Sequence, residues 1–232
     1  MSDGGYNQFC PVSMAAEIIC SRWTLLVLRE LVMGSTRFNE LRRGVPSMSP
    51  ALLSKRLKEL EAAGIVTRIA TERESGGHEY RLTEAGTELR PIIEAIGVWG
   101  HRWVTTEATL KNLDPNLLMW DIRRNIDTDP MPARRNTIQF IFKDRPVSER
   151  NYWLIVEPNR DVDLCLVNPG FDVDLYVTTD LQSMTEIWLG FRTVVQMADD
   201  GRFVLTGNSK LAADLRTWLK LSVFASFEKK VA

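Results

Sequence analysis

The chain has few cysteines, few histidines and no excess of charge, and each shortage removes a class of function. Cys10, Cys20 and Cys165 are the three cysteines in 232 residues. An odd number of such widely spaced thiols fits neither a disulfide framework nor a zinc site. His78 and His101 are the two histidines, so no metal is expected. No apolar run approaches the ~20 residues of a bilayer span. Residues 1–6 lack the basic and apolar regions of a signal peptide, and the expectation is a cytoplasmic protein with no membrane partner. Paired carboxylates, a nucleophile beside a base and a phosphate-cradling glycine loop are missing too, so neither an enzyme nor a cofactor is expected. With 29 basic and 30 acidic residues the formal charge is −1, and any nucleic-acid footprint has to be local.

What is present is enough apolar material, 44% of residues, for two cores in a chain of this length. Residues 10–105 are dense in Leu, Arg and Glu at helical spacing, whereas residues 137–206 carry repeated short runs of β-branched and aromatic residues. The expected class is α+β, with a domain over 1–108, a second over 109–232 and their boundary at about 106–112.

In the first part, residues 11–20 and 23–33 read as helices, and 37–43 as a short one followed by the turn Gly44-Val45-Pro46. The next helix opens on Ser49-Pro50, a capping side chain followed by the residue suited to the first helical position. Leu53, Leu57 and Leu60 mark its inner face and Gly64 its end. Pro50, Ala51, Ser54, Lys55 and Lys58 fall on the outer face, which is small and then basic. Two extended runs, 65–69 and 79–82, flank a polar glycine-bearing tip and form a hairpin shaped as a wing. Thr83 then caps a long helix, which Pro91 should bend or restart. Leu89, Ile92, Ile96, Trp99 and Trp103 recur along it at coiled-coil spacing. That seam serves either a partner helix in a homodimer or packing within the chain.

A helix presented end-on can enter the major groove if its exposed residues are small or able to hydrogen-bond. Ser49, Pro50, Ala51, Ser54 and Lys55 meet that requirement, while Arg37, Arg42, Arg43, Lys58 and the wing residue Arg73 can reach flanking phosphates. Between positions 37 and 58 stand six basic residues and one acid, Glu40, so the charge is local as required. Charge alone also fits a merely solvated face; the order of helices, cap, glycine stop and hairpin is what favours double-stranded DNA.

The run Cys10-Pro11, Trp23, Arg37-Phe38, Glu40-Leu41, Ser49, Leu53, Arg56-Leu57, Leu60-Glu61, Gly64-Ile65-Val66, Arg68, Glu79-Tyr80, Leu82-Thr83, Gly86 and Trp99 resembles the HxlR branch of the MarR-like winged helix-turn-helix regulators. The resemblance covers about residues 10–104. It implies a homodimer that binds an operator, with helix 49–63 in the major groove and the wings near the minor groove; a repressor is the expected role, with activation the other reading. Gly76-Gly77 stands where that family often has proline, which implies a more mobile wing. Cys10 occupies the position at which some members sense oxidants; a helix start at Pro11 would favour the required thiolate, and simple packing at the domain edge is the other reading.

In the second part, Asp114-Pro115 starts a helix, runs at 137–142, 152–156, 162–167 and 173–177 read as strands, several of them antiparallel, and helices at 181–191, 192–197 and 211–221 surround a strand at 203–206. The order of elements and glycines, quoted from 174 to 215 and extending over about residues 115–222, resembles the sterol-carrier-protein type of lipid-binding domain. This resemblance implies a cavity for an apolar small molecule, with Trp153, Phe171, Met184, Trp188, Phe191, Met197 and Trp218 as candidates to line it or to form ordinary core. The alternative function is a lipid or small-molecule carrier whose winged helix serves dimerisation or protein contact.

Overall fold

A computed structural model of the protein describes residues 5–71 and 77–231. It divides into two compact units, one ending at Gly97 and one starting at Val98.

The first unit begins with α1 (Pro11–Ile19), α2 (Thr24–Val32), α3 (Phe38–Gly44) and α4 (Pro50–Ala62). Strands β1 (Val66–Ala70) and β2 (His78–Leu82) then pair antiparallel, with Val66 opposite Leu82 and Ala70 opposite His78. The core forms where the apolar stripes of these helices converge: Val27, Leu28 and Leu31 of α2 meet Leu41, Leu53, Leu57 and Leu60, closed by Val45, Met48, Ile65 and Val66. Thr83 caps α5 (Glu84–Glu88), and α6 (Arg90–Trp103) follows after a break at Leu89. The long helix is thus restarted beside Pro91, a residue tolerated only in a first helical turn. Leu89 packs against the unit's own core, which removes it from the exposed seam; the break turns it inward.

The second unit contains the end of α6, α7 (Thr106–Leu110), α8 (Pro115–Arg124) and a five-stranded sheet built from β3 (Asn136–Phe142), β4 (Asn151–Val156), β5 (Asp163–Cys165), β6 (Leu175–Thr179) and β7 (Phe203–Gly207). The spatial order is β5-β4-β3-β6-β7, with β3 and β6 parallel and the other neighbours antiparallel. Helices α9 (Leu181–Trp188), α10 (Val194–Asp199), α11 (Ser209–Ala213) and α12 (Leu215–Trp218) complete it. Alternate strand residues point to opposite faces. One set, Ile138, Phe140, Tyr152, Leu154, Leu175 and Val177, shares a core with Met119, Met184, Ile187, Met197 and Trp218 from the helices. The single helix expected over 211–221 is two short ones, because Asp214 ends α11 and starts α12. The Trp218 indole N–H donates to the Leu211 carbonyl at 2.8 Å and locks this bend. No single helix among the described residues is long and apolar enough to cross a membrane.

Candidate nucleic-acid interface

The helix-turn-helix is held by a buried charge. Glu30, in the last turn of α2, is wholly removed from solvent. Its Oε1 accepts from Arg29 Nη2 at 2.9 Å and its Oε2 from Ser35 Oγ at 3.1 Å. The same Arg29 nitrogen donates to the Gly44 carbonyl at 2.7 Å, so one ion pair ties the end of α2 to the end of α3. Glu40, the acid of the 37–58 stretch, turns its Oε2 to the backbone N–H groups of Thr36 and Arg37 at 2.9 and 3.0 Å. That carboxylate caps the start of α3.

From this base α4 projects. Ser49 caps it by accepting from the Leu52 N–H, and Pro50 occupies its first turn. Leu53, Leu57 and Leu60 are buried, whereas Pro50, Ala51, Lys55 and Lys58 are exposed and Ser54 is half-buried between them. Arg42 and Arg43 are exposed at the end of α3. Helical spacing puts Pro50, Ala51, Ser54, Lys55 and Lys58 on the side of α4 away from its buried leucines, with Ser49 at its cap.

Two basic residues of the stretch are occupied differently. Arg56 is mostly buried and donates Nε to the Arg22 carbonyl at 3.1 Å, bracing the α1–α2 turn, and it also pairs with Glu59. The Arg37 guanidinium lies 3.8 Å from Glu79 on β2, and the Thr36 carbonyl accepts from the Tyr80 N–H at 2.7 Å; together these contacts fix the wing against α3. Glu59, just past the stretch, approaches Lys55 to 3.9 Å. Arg68, exposed on β1 and hydrogen-bonded to His78 at 3.1 Å, is a wing cation outside the residues expected to contact DNA; alternation along β1 gives no signal for it, since it shares a parity with buried Val66. Arg73 lies outside the described residues.

Of the seam residues, Ile92, Ile96, Trp99 and Trp103 are all exposed along α6, Trp99 by 62%. In the first unit α1 buries none of its residues, and Phe9, Val12, Met14 and Ile18 lie open, Phe9 by 97%. Cys10 stands at the start of α1, where the backbone N–H groups of Ser13 and Val12 hold its thiol below the usual range.

The seven candidates for a ligand cavity stand in different settings. Met184, Trp188, Met197 and Trp218 are packed into the sheet-and-helix core. Trp153 lies on the opposite sheet face from its neighbours Tyr152 and Leu154. Phe171 is exposed beneath the Arg135 guanidinium, 4.0 Å from its ring centre, and Phe191 stacks on His101 at 5.5 Å. Residue type alone does not separate a cavity wall from a core. A cavity of about 260 Å³ does exist in the second unit, bounded by Ile187, Val194, Leu219 and Leu221 among others, and none of the seven lines it.

The family described as HxlR-like helix-turn-helix matches residues 18–108. The chain is 37% identical over 99 residues to the uncharacterized HTH-type transcriptional regulator YvaP of Bacillus subtilis, a match covering 42% of this chain and 92% of that protein. It is 33% identical over 102 residues to the uncharacterized HTH-type transcriptional regulator sll1512 of a Synechocystis strain, covering 44% of this chain and 76% of that one. Among solved structures it is similar to the redox regulator HypR in its reduced form, at 37% identity and a TM-score of 0.37, over 39% of this chain and 90% of the other. The helix-turn-helix, the wing and a relative matched over nearly its whole length agree: the chain belongs to the HxlR-like helix-turn-helix family of transcriptional regulators.

Proposed function

We propose that this regulator binds duplex DNA as a homodimer, setting α4 of each copy into the major groove, and that it represses by occupying its operator. The observation that carries the reading is the outer face of α4: small residues at its exposed start, Pro50 and Ala51, then Ser54, Lys55 and Lys58 one turn on. A helix entering a groove needs close approach at its tip and cations where it passes the backbone. Arg42 and Arg43 extend the cationic side, and the wing brings Arg68.

The homodimer is supported by uncovered apolar surface. Ile92, Ile96, Trp99 and Trp103 are exposed along α6, and Phe9, Val12 and Met14 around α1; exposed apolar stripes are covered by association. Two-fold pairing would present two recognition helices to half-sites about 34 Å apart. The second unit, a sheet with helices on one face, is read as a sterol-carrier-like ligand domain that tunes this spacing.

The test is the salt dependence of binding to mixed genomic duplex fragments. Each phosphate contact contributes a slope of about −0.9 in log affinity against log salt, so the dimer should show a slope of about −4 or steeper. Binding that is absent or indifferent to salt would instead support a carrier in which the winged helix mediates protein contact.

A further inference from the structure

The cavity of about 260 Å³ has an apolar wall and a cationic margin. Ile187 of α9, Val194 of α10 and Leu219, Leu221 and Ala225 after α12 supply the wall; Arg192 and Arg216 supply the margin. The Arg192 Nη2 pairs with Asp200 at 2.6 Å. Arg216 is exposed and forms no ion pair within the described residues. Two guanidinium groups beside an apolar wall, one of them without an ion pair among the described residues, attract an anionic group on an otherwise apolar guest. The site therefore favours a guest that brings an anionic acceptor.

The wall formed by residues 219–225 is held in place. The Ser222 N–H donates to the Trp188 carbonyl at 2.9 Å. Gly190 adopts φ +74°, and a Cβ there would come within 2.8 Å of the Ala225 oxygen, so glycine is what lets the tail close down beside α9. Beyond it, Lys229 Nζ donates to the carbonyls of His101 and Val104 at 3.1 and 2.6 Å, and the Phe227 carbonyl lies 3.0 Å from His101 Nε2. The tail wall is thereby pinned to the end of α6, the helix that bears Trp99 and Trp103.

The volume corresponds to about nine waters at ~30 Å³ each, which admits a guest of roughly a dozen non-hydrogen atoms. We propose that this cavity binds a small monocarboxylate with a compact apolar body, its carboxylate meeting Arg192 and Arg216. As an effector site it rests on the regulator reading above; as a binding site it stands without it.

The experiment is calorimetric titration of the full chain, without DNA, with 4-phenylbutyrate, 4-phenylbutan-1-ol and 4-phenylbutylamine. The carboxylate should bind about tenfold or more tightly than the alcohol, the order expected for one charge-assisted hydrogen bond, and the amine should not bind. Arg216→Gln and Arg192→Gln should each erase most of the preference for the acid over the alcohol, and Leu221→Trp, a substitution at an exposed lining position, should block both ligands. Equal binding of acid and alcohol, an acid preference that survives both arginine changes, or no binding of any of the three at millimolar concentration would overturn the proposal. Because DNA is absent from every arm, such a failure leaves the DNA-binding reading untouched, and a failure of that reading leaves this result standing.

Discussion

Glu30 and Gly44 decide more than their neighbours. A Cβ built on Gly44 would lie 1.9 Å from the Glu30 Cδ, so the carboxylate reaches Ser35 and Arg29 only because position 44 has no side chain. Gly44→Ala should lower stability by about 1–3 kcal/mol, the cost of overpacking a filled site, seen as a lower midpoint in urea denaturation; an unchanged midpoint would contradict the packing described. A buried acid next to an arginine in a stretch of leucines carries no periodic signal, which is why this pair was not legible in the sequence while the leucines were. Asp180 shows the other use of a carboxylate. Burial by itself would raise its pKa, but Arg202, at 3.1 and 2.9 Å, and the Ser183 hydroxyl and N–H outweigh it and hold it below the ordinary range. The folded state then binds that proton less readily than the unfolded one, whose pKa is about 3.9, so the contribution is full above that value and fades as pH falls through the folded pKa. Asp180→Asn should be less stable than the parent at pH 7, with the gap in thermal midpoint narrowing below about pH 4; a gap constant from pH 7 to pH 2 would count against it.

At the scale of elements, α4 was the most readable because three local rules agree on it: Ser49 and Pro50 at its start, leucines three and four apart, and Gly64 at its end. Ser49→Ala should cost about 1 kcal/mol through loss of the cap, measured by chemical denaturation, and no loss would mean that the cap hydrogen bond is idle. The break before α6 was legible from Pro91, yet Leu89 still reads as part of the seam, since spacing counts positions and a break rotates them. The split of 211–221 at Asp214 and the parallel pairing of β3 with β6 depend on partners distant in sequence, and strand patterns name faces without naming neighbours. Arg56 illustrates the same limit: it counts as a cation in the sequence and is a brace to the Arg22 carbonyl in the fold. The residues lining the cavity of about 260 Å³ were not legible, because aromatic and Met residues fill cores as readily as they line voids.

On the scale of the whole molecule, the family assignment covers the helix-turn-helix, and the second unit distinguishes this chain from a regulator that ends there. The open apolar stripe on α6 predicts self-association. An Ile96→Glu, Trp99→Glu variant should sediment as a monomer where the parent sediments as a dimer, and equal masses for the two would remove α6 from the interface. The central claim is that the outer face of α4 reads DNA. Its most direct test is to mix the purified protein with fragmented DNA of its source genome, recover and sequence what is retained, and run a Ser54→Glu, Lys55→Glu variant in parallel. The account predicts enrichment of a few loci that share an inverted repeat with half-sites about 10 base pairs apart, lost in the variant. Enrichment that persists unchanged in the variant, or no enriched locus with the parent protein, would contradict it.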